Sequence, residues 1–266
     1  MTREPVFAGS FYPSGKTELY ALVEELMSHQ VTGYDAKGAV SPHAGYIYSG
    51  GVAGRTISSL EEKETFVILG PNHTGNGKRF ALSAESWRIP LGTLTADSEF
   101  VEILSGISDI LEIDEKAHAR EHSIEVQLPF LKAKFEDSRM VAICAQMGSI
   151  AELEDIALAI NEAAAKTGRD IAVIASSDMS HYESRASASK KDKLAIECIE
   201  KLDPEGLIRT VVGKEISMCG VIPAAIMLFS AKALGACRAR LIEYDDSGAR
   251  TGDISEVVGY AGMVIT

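Results

Sequence analysis

Basic residues are in short supply in this 266-residue chain: 26 lysines and arginines stand against 38 aspartates and glutamates, a formal net charge of −12 at pH 7. A protein whose main partner is nucleic acid or an anionic membrane needs a clustered cationic surface, so neither is expected here. The one dense basic stretch, Lys190-Lys191-Asp192-Lys193, reads as the solvated face of a helix. Long apolar runs are missing too. No stretch approaches the roughly 18 residues of a membrane span, and Met1-Thr2-Arg3-Glu4-Pro5 lacks the apolar segment of a signal peptide. A cytoplasmic location is the expectation. The four cysteines, at 144, 198, 219 and 237, show no C-x-x-C spacing, which speaks against a zinc ribbon or a redox dithiol; they should be reduced thiols. Also missing are a G-x-S-x-G elbow, a G-x-x-x-x-G-K-S/T loop and a strand-linked G-x-G-x-x-G. Their absence argues against a serine hydrolase, an NTPase and a Rossmann dinucleotide enzyme.

What is present is ordinary globular composition, 46% hydrophobic and 24% charged, with no linker-like stretch to divide it. One domain spanning residues 1–266 is the expectation. Apolar periodicity predicts helices near residues 17–29, 51–60, 98–104, 124–131, 150–168, 186–201, 204–212 and 220–234. Ser149-Ile150-Ala151-Glu152 supplies a capping box for the fifth of these, and Pro129 should kink or restart the fourth. Short apolar runs at 65–69, 79–83, 87–94, 139–147, 170–175, 239–243 and 257–265 predict strands. Such alternation implies an α/β fold with a central mixed, mainly parallel sheet flanked by helices.

Several apolar runs stop abruptly at reactive side chains. Ala39-Val40 ends at Ser41-Pro42-His43-Ala44-Gly45-Tyr46, the next at Gly70-Pro71-Asn72-His73, and a third at Ser176-Ser177-Asp178-Met179-Ser180-His181. Cys219 lies just before a predicted helix, where backbone N–H groups would favour its thiolate. In an α/β sheet the loops at the carboxyl ends of neighbouring strands meet in one crevice, so His43, His73, Asp178, His181 and Cys219 can converge. Two imidazoles with a thiolate or a carboxylate would make an open three-ligand site for iron(II), zinc or copper. A further histidine held close by, such as His181, would serve as acid or base.

One literal motif competes. His118-Ala119-Arg120-Glu121-His122 fits the H-x-x-E-H pattern of inverted zincins, although His118 precedes the segment with helical spacing. Glu121, His122 and Glu125 are better read as pocket groups. Trp87, the only tryptophan, and Cys144 read as packing.

Taken together, Ala8-Gly-Ser-Phe-Tyr-Pro13, Pro42-His-Ala-Gly-Tyr-Ile-Tyr-Ser-Gly50, Leu69-Gly-Pro-Asn-His73, Glu121-His-Ser-Ile-Glu125 with Leu128-Pro129, Ser176-Ser-Asp-Met-Ser-His181, Met218-Cys-Gly220, and Gly252 with Val257-Val-Gly-Tyr260 resemble the Memo family over nearly the full length. That family is similar in fold to class III extradiol dioxygenases, non-haem iron enzymes that open catechol rings. The resemblance implies His43, His73 and Cys219 as metal ligands, with Asp178 and His181 beside them and His181 at the acid–base position. The dioxygenases use two histidines and a glutamate, whereas the third position here is Cys219. A thiolate is softer, donates more strongly and can itself be oxidised, so ring cleavage does not follow from the resemblance. Family associations include cell-motility signalling and protein binding in eukaryotes, and radical SAM and AMMECR1-type proteins in prokaryotes.

The expectation is an open pocket for a divalent metal, iron(II) favoured and copper or zinc possible, built from His43, His73 and Cys219. Asp178, His181 and His122 would act as catalytic or supporting groups. A metal-dependent oxidoreductase acting on a small molecule leads; a non-catalytic module that binds a peptide or protein is the alternative.

Overall fold

The runs Thr65–Pro71, Arg139–Ala145 and Ile171–Ser176 carry apolar residues at consecutive rather than alternate positions, which demands cover on both faces of the sheet they enter. The structure, a computed structural model, describes residues 1–28 and 33–266. In chain order its elements are β1 (Thr2–Arg3), α1 (Lys16–Met27), β2 (Gly38–Ser41), α2 (Tyr46–Ser58), β3 (Thr65–Pro71), β4 (Phe80–Ser83), β5 (Ser86–Ile89), β6 (Gly92–Leu94) and α3 (Ser98–Ile107). There follow β7 (Glu112–Ile113), the single turn α4 (Glu115–His118), a 3-10 turn at Glu125–Gln127, α5 (Leu128–Lys134), β8 (Arg139–Ala145), α6 (Ile150–Thr167) and β9 (Ile171–Ser176). The chain continues through β10 (His181–Glu183), α7 (Arg185–Glu200), α8 (Pro204–Gly213), α9 (Val221–Ala233), β11 (Ala239–Asp246), α10 (Gly248–Thr251) and β12 (Val257–Ile265).

Among the described residues, nine strands form one sheet in the order β10-β12-β2-β9-β3-β8-β4-β7, with β11 also paired to β12. The central strands β2, β9, β3 and β8 are parallel. Toward the edges β12 runs antiparallel to β2, and β4 antiparallel to β8. Strands β1, β5 and β6 make a separate small sheet. The architecture is therefore the α/β one expected, a mixed sheet between helices. No helix among the described residues is long and apolar enough to cross a membrane.

Side-chain alternation along the parallel strands divides the interior into two cores. Val67, Leu69, Val141, Ile143, Val173 and Ala175 face one, with α3, α6 and α9. Phe66, Ile68, Met140, Ala142, Ala172 and Ile174 face the other, with α1, α2 and α5. Each fully buried Leu, Ile or Phe contributes about 1.5–3 kcal/mol of apolar transfer.

Differences from the expected elements have local causes. Helix α2 begins at Tyr46 instead of residue 51, with Gly50 and Gly54 inside it. A Cβ at Gly54 would come within 2.7 Å of Leu26 O, and one at Gly50 within 2.8 Å of Leu26 Cδ1. These glycines let α1 lie close against α2, which outweighs their poor helix propensity. The described part of α1 ends at Met27, and His29 lies outside the described residues. Pro129 sits in the first turn of α5, where its missing N–H has no partner to lose, so it restarts the helix after the 3-10 turn. The 190–193 stretch is not a wholly solvated face, because Asp192 points inward and is fully buried.

Candidate metal centre

Strand order creates the site. Because β9 lies between β2 and β3, the segments leaving all three carry His43, Asp178 and His73 to one end of the sheet. The His43 N–H donates to Asp178 Oδ1 at 2.7 Å, tying two strand ends together. On its ring, Nδ1 lies 2.9 Å from Ser176 Oγ. Ser176 Oγ spends its proton on Ser123 O, at 2.6 Å, and accepts from Gln127 Nε2 at 2.9 Å. It can only accept from His43, so the imidazole carries its proton on Nδ1 and keeps a lone pair on Nε2. Burial, reinforced by the neighbouring imidazoles of His122, His73 and His181, holds the His43 pKa well below the usual histidine range.

A second bonded set holds His73. Its N–H donates to Glu121 Oε2 at 2.7 Å, and its Nδ1 lies 2.9 Å from Glu121 Oε1. That oxygen also accepts the Ser123 N–H at 2.9 Å and stands 3.4 Å from His122 Nδ1. Glu121 is fully buried. Burial alone would raise its pKa, but the His73 and Ser123 bonds outweigh that and bring it down to about 2. His122, by contrast, is lowered to about 4, chiefly by burial. The rings of His73 and His122 stack with centroids 4.6 Å apart, and His43 stands edge-on to both. One ring nitrogen from each of His43, His73 and His122 lies within 4.8 Å of the others, a group that could hold a metal ion.

Cys219 joins from the start of α9, its Sγ 3.2 Å from His43 Nε2 and 3.3 Å from the Asp178 N–H. Gly220 makes the approach possible, since a Cβ there would overlap Ser176 O. The thiolate expected at a helix N-terminus is not what the surroundings favour. Burial and the Asp178 carboxylate push the thiol well above its ordinary range, outweighing the N–H that Asp178 offers. Asp178 is itself raised to about 6 by burial, against the opposing bonds from His43 and Ala44. His181 opens β10. Its N–H donates to Ser217 Oγ at 2.7 Å and its Nδ1 lies 2.9 Å from Ser217 O, which leaves Nε2 with the lone pair.

The N-terminal segment supplies a wall. Phe11 and Phe7 pack on His122 with ring centroids at 4.7 and 5.6 Å. Fully buried Glu125 holds that segment, accepting from Arg3 Nη1 at 2.6 Å, Phe7 N at 2.8 Å and the Tyr12 hydroxyl at 2.7 Å. His118, in contrast, stays away from the cluster. It is fully buried, with Nε2 3.1 Å from Ala81 O and Nδ1 3.3 Å from Cys144 Sγ, and it meets Trp87 edge-on. The H-x-x-E-H pattern therefore does not assemble as one ligand set: α4 ends at His118, and only Glu121 and His122 reach the pocket. Sequence reasoning missed Ser176, Gln127, Ser217, Phe7 and Phe11 as parts of the site. Their chemistry is in partners far away along the chain, which no spacing reveals.

The sequence matches the Memo-like protein family over residues 3–264. The chain belongs to this family. A Memo family protein of Methanopyrus kandleri is 42% identical over 279 residues, covering 99% of both chains. Another, from Methanococcus maripaludis, is 43% identical over 286 residues, covering 100% of both. A third, from Archaeoglobus fulgidus, is 42% identical over 262 residues and covers 98% of each. Among solved structures, an uncharacterized protein of Escherichia coli K12 superposes with a TM-score of 0.49 at 13% identity, covering 85% of this chain and 98% of that one.

Proposed function

We propose that the protein is a metal-dependent oxidoreductase in which His43 and His73 hold a divalent metal, with Cys219 as the third ligand and His122 within reach of the same point. The observation that carries this reading is the convergence of three imidazoles whose protonation is already arranged for binding. The His43 proton is committed to Ser176, and Glu121 faces His73 and His122 on Nδ1. A buried carboxylate that orients imidazoles by their far nitrogens is the usual support of a metal-binding histidine. Iron(II) is favoured because two histidines with a third donor and open positions resemble the 2-His-1-carboxylate sites of iron(II) oxygenases, with the softer Cys219 thiolate in the carboxylate's place. A bound metal of this kind would supply Lewis-acid polarisation of a coordinated substrate and, with dioxygen as oxidant, redox chemistry.

The remaining chemistry belongs to the chain. His181, with its Nε2 lone pair, takes or returns a proton from substrate in the pocket. Asp178 fixes the His43 backbone and keeps strands β2 and β9 in register at the site. Phe7 and Phe11 cover one side of His122 and leave it half-buried beside the pocket. The alternative, a peptide- or protein-binding module, draws on Ile47 and Tyr182, large apolar residues 70% and 76% exposed within a few positions of His43 and His181.

The test is metal analysis of protein purified without oxygen and loaded with iron(II), zinc or copper. We expect stoichiometric metal in the wild type and its loss in His43→Ala, His73→Ala and Cys219→Ser, followed by oxygen uptake with a suitable substrate. Metal content indifferent to all three changes would leave the binding-module reading in front.

A further inference from the structure

The loop carrying His181 is held from behind by the helix whose sequence presents a basic face. Asp192 of α7 is fully buried. Its Oδ1 accepts the Ser180 N–H at 2.9 Å and its Oδ2 accepts the Tyr244 hydroxyl at 2.7 Å. One oxygen is thus tied to the residue beside His181 and the other to β11. Room for the carboxylate exists because residue 259 is glycine, where a Cβ would overlap Asp192 Oδ2. Gly259 also closes the loop onto β12, accepting from Met179 N at 2.8 Å and donating to Ser180 O at 2.9 Å. Beside Asp192, Lys191 donates to Glu183 Oε1 at 2.6 Å and to Glu215 O at 3.1 Å. It joins the far end of the loop to the segment whose Ser217 grips both the backbone and the ring of His181.

Between these anchors the backbone is forced. Tyr182 adopts φ 57, and the pairing of β10 with β12 shifts register between His181 and Glu183. A tyrosine in the left-handed region persists only where its surroundings impose it, and such bulges re-aim side chains next to functional sites. Simple packing of α7 against the sheet needs neither a buried carboxylate nor a glycine to admit it.

We propose that Asp192, braced by Tyr244 and admitted by Gly259, is a positioning residue that fixes the turn at residues 180–182 so that His181 presents its free ring nitrogen to the pocket. The inference rests on the reading of His181 as the acid–base group of that pocket.

Amide hydrogen exchange and the ring nitrogen spectrum of His181, both recorded by NMR on the full chain, read this positioning without any turnover. Asp192→Ala is expected to accelerate exchange at Ser180 and His181 by roughly tenfold or more. It should also average the His181 tautomers, while the amides of β3 and β9 keep their protection. Asp192→Asn retains an acceptor for the Ser180 N–H and should restore most of both signals. If Asp192→Ala does not fold, Tyr244→Phe, which loses only a hydroxyl, should move the same two amides by a smaller factor. Unchanged Ser180 and His181 amides, or protection lost evenly across the sheet, would overturn the proposal. Full metal-dependent turnover by His181→Ala would sink the acid–base reading instead, and the exchange data would still decide the positioning.

Discussion

Glu121 is the residue on which two imidazoles of the candidate centre depend, and it works through geometry the sequence cannot display. Replacing it with Gln keeps the shape but weakens the bonds to His73 Nδ1 and the His73 N–H. Metal affinity should fall about 10- to 100-fold, as read by competition with a chelator of known strength. His118 offers the complementary test. Its folded pKa of about 4 lies below the ordinary 6.5, so on acidification the unfolded chain takes up the proton first. Stability from this group is present above pH 6.5 and lost as pH falls toward 4, by about 3 kcal/mol over that window. In metal-free protein, His118→Gln should flatten the pH dependence of urea unfolding by about that amount, and it should leave metal content of loaded protein unchanged. A loss of metal would return the H-x-x-E-H reading to the front. At this scale the legible residues were those at the end of an apolar run, His43, His73 and Asp178. Ser176 and Gln127 were not legible, because their partners His43 and Ser41 lie 133 and 86 positions away.

Elements place these residues, and β9 and α9 meet closely at Gly220. Since a Cβ at Gly220 would overlap Ser176 O, Gly220→Ala should push α9 outward and carry Cys219 with it. Metal affinity should drop although no donor atom has been removed, whereas far-UV circular dichroism should keep its helical shape. At the same carboxyl end of the sheet, after β8, Ser149 and Glu152 form a reciprocal cap on α6. Ser149→Ala should cost about 1 kcal/mol in chemical denaturation and leave metal binding untouched. The cap was legible because its two partners are three residues apart. The start of α2 was not, because Gly50 speaks against a helix locally, and only the approach of Leu26 from α1 explains it.

At the scale of the whole molecule, both cores lean on the same strands, with Val67 on one side and Phe66 and Ile68 on the other. The two halves should therefore unfold together. Trp87, the sole tryptophan, is buried in the second core alone, so its fluorescence reports one face and circular dichroism reports both. Their urea transitions should coincide, and separated midpoints would divide the chain into independently folding parts. The α/β class was readable from alternating apolar runs and helical patterns. Strand order was not, since nothing local says that β9 inserts between β2 and β3.

The position of β12 has a consequence for synthesis. Chain order and spatial order disagree: the most C-terminal strand lies inside the sheet, between β11 and β2, and its start also pairs with β10 behind His181. A ribosome delivers β2 more than two hundred residues before its neighbour β12. Until residue 265 has cleared the exit tunnel, the apolar edge of β2 stands open and the His181 turn has no strand to rest on. Pocket assembly is thus coupled to the emergence of β12, and a nascent chain arrested short of that strand should carry the His43 and His73 segments without a finished site.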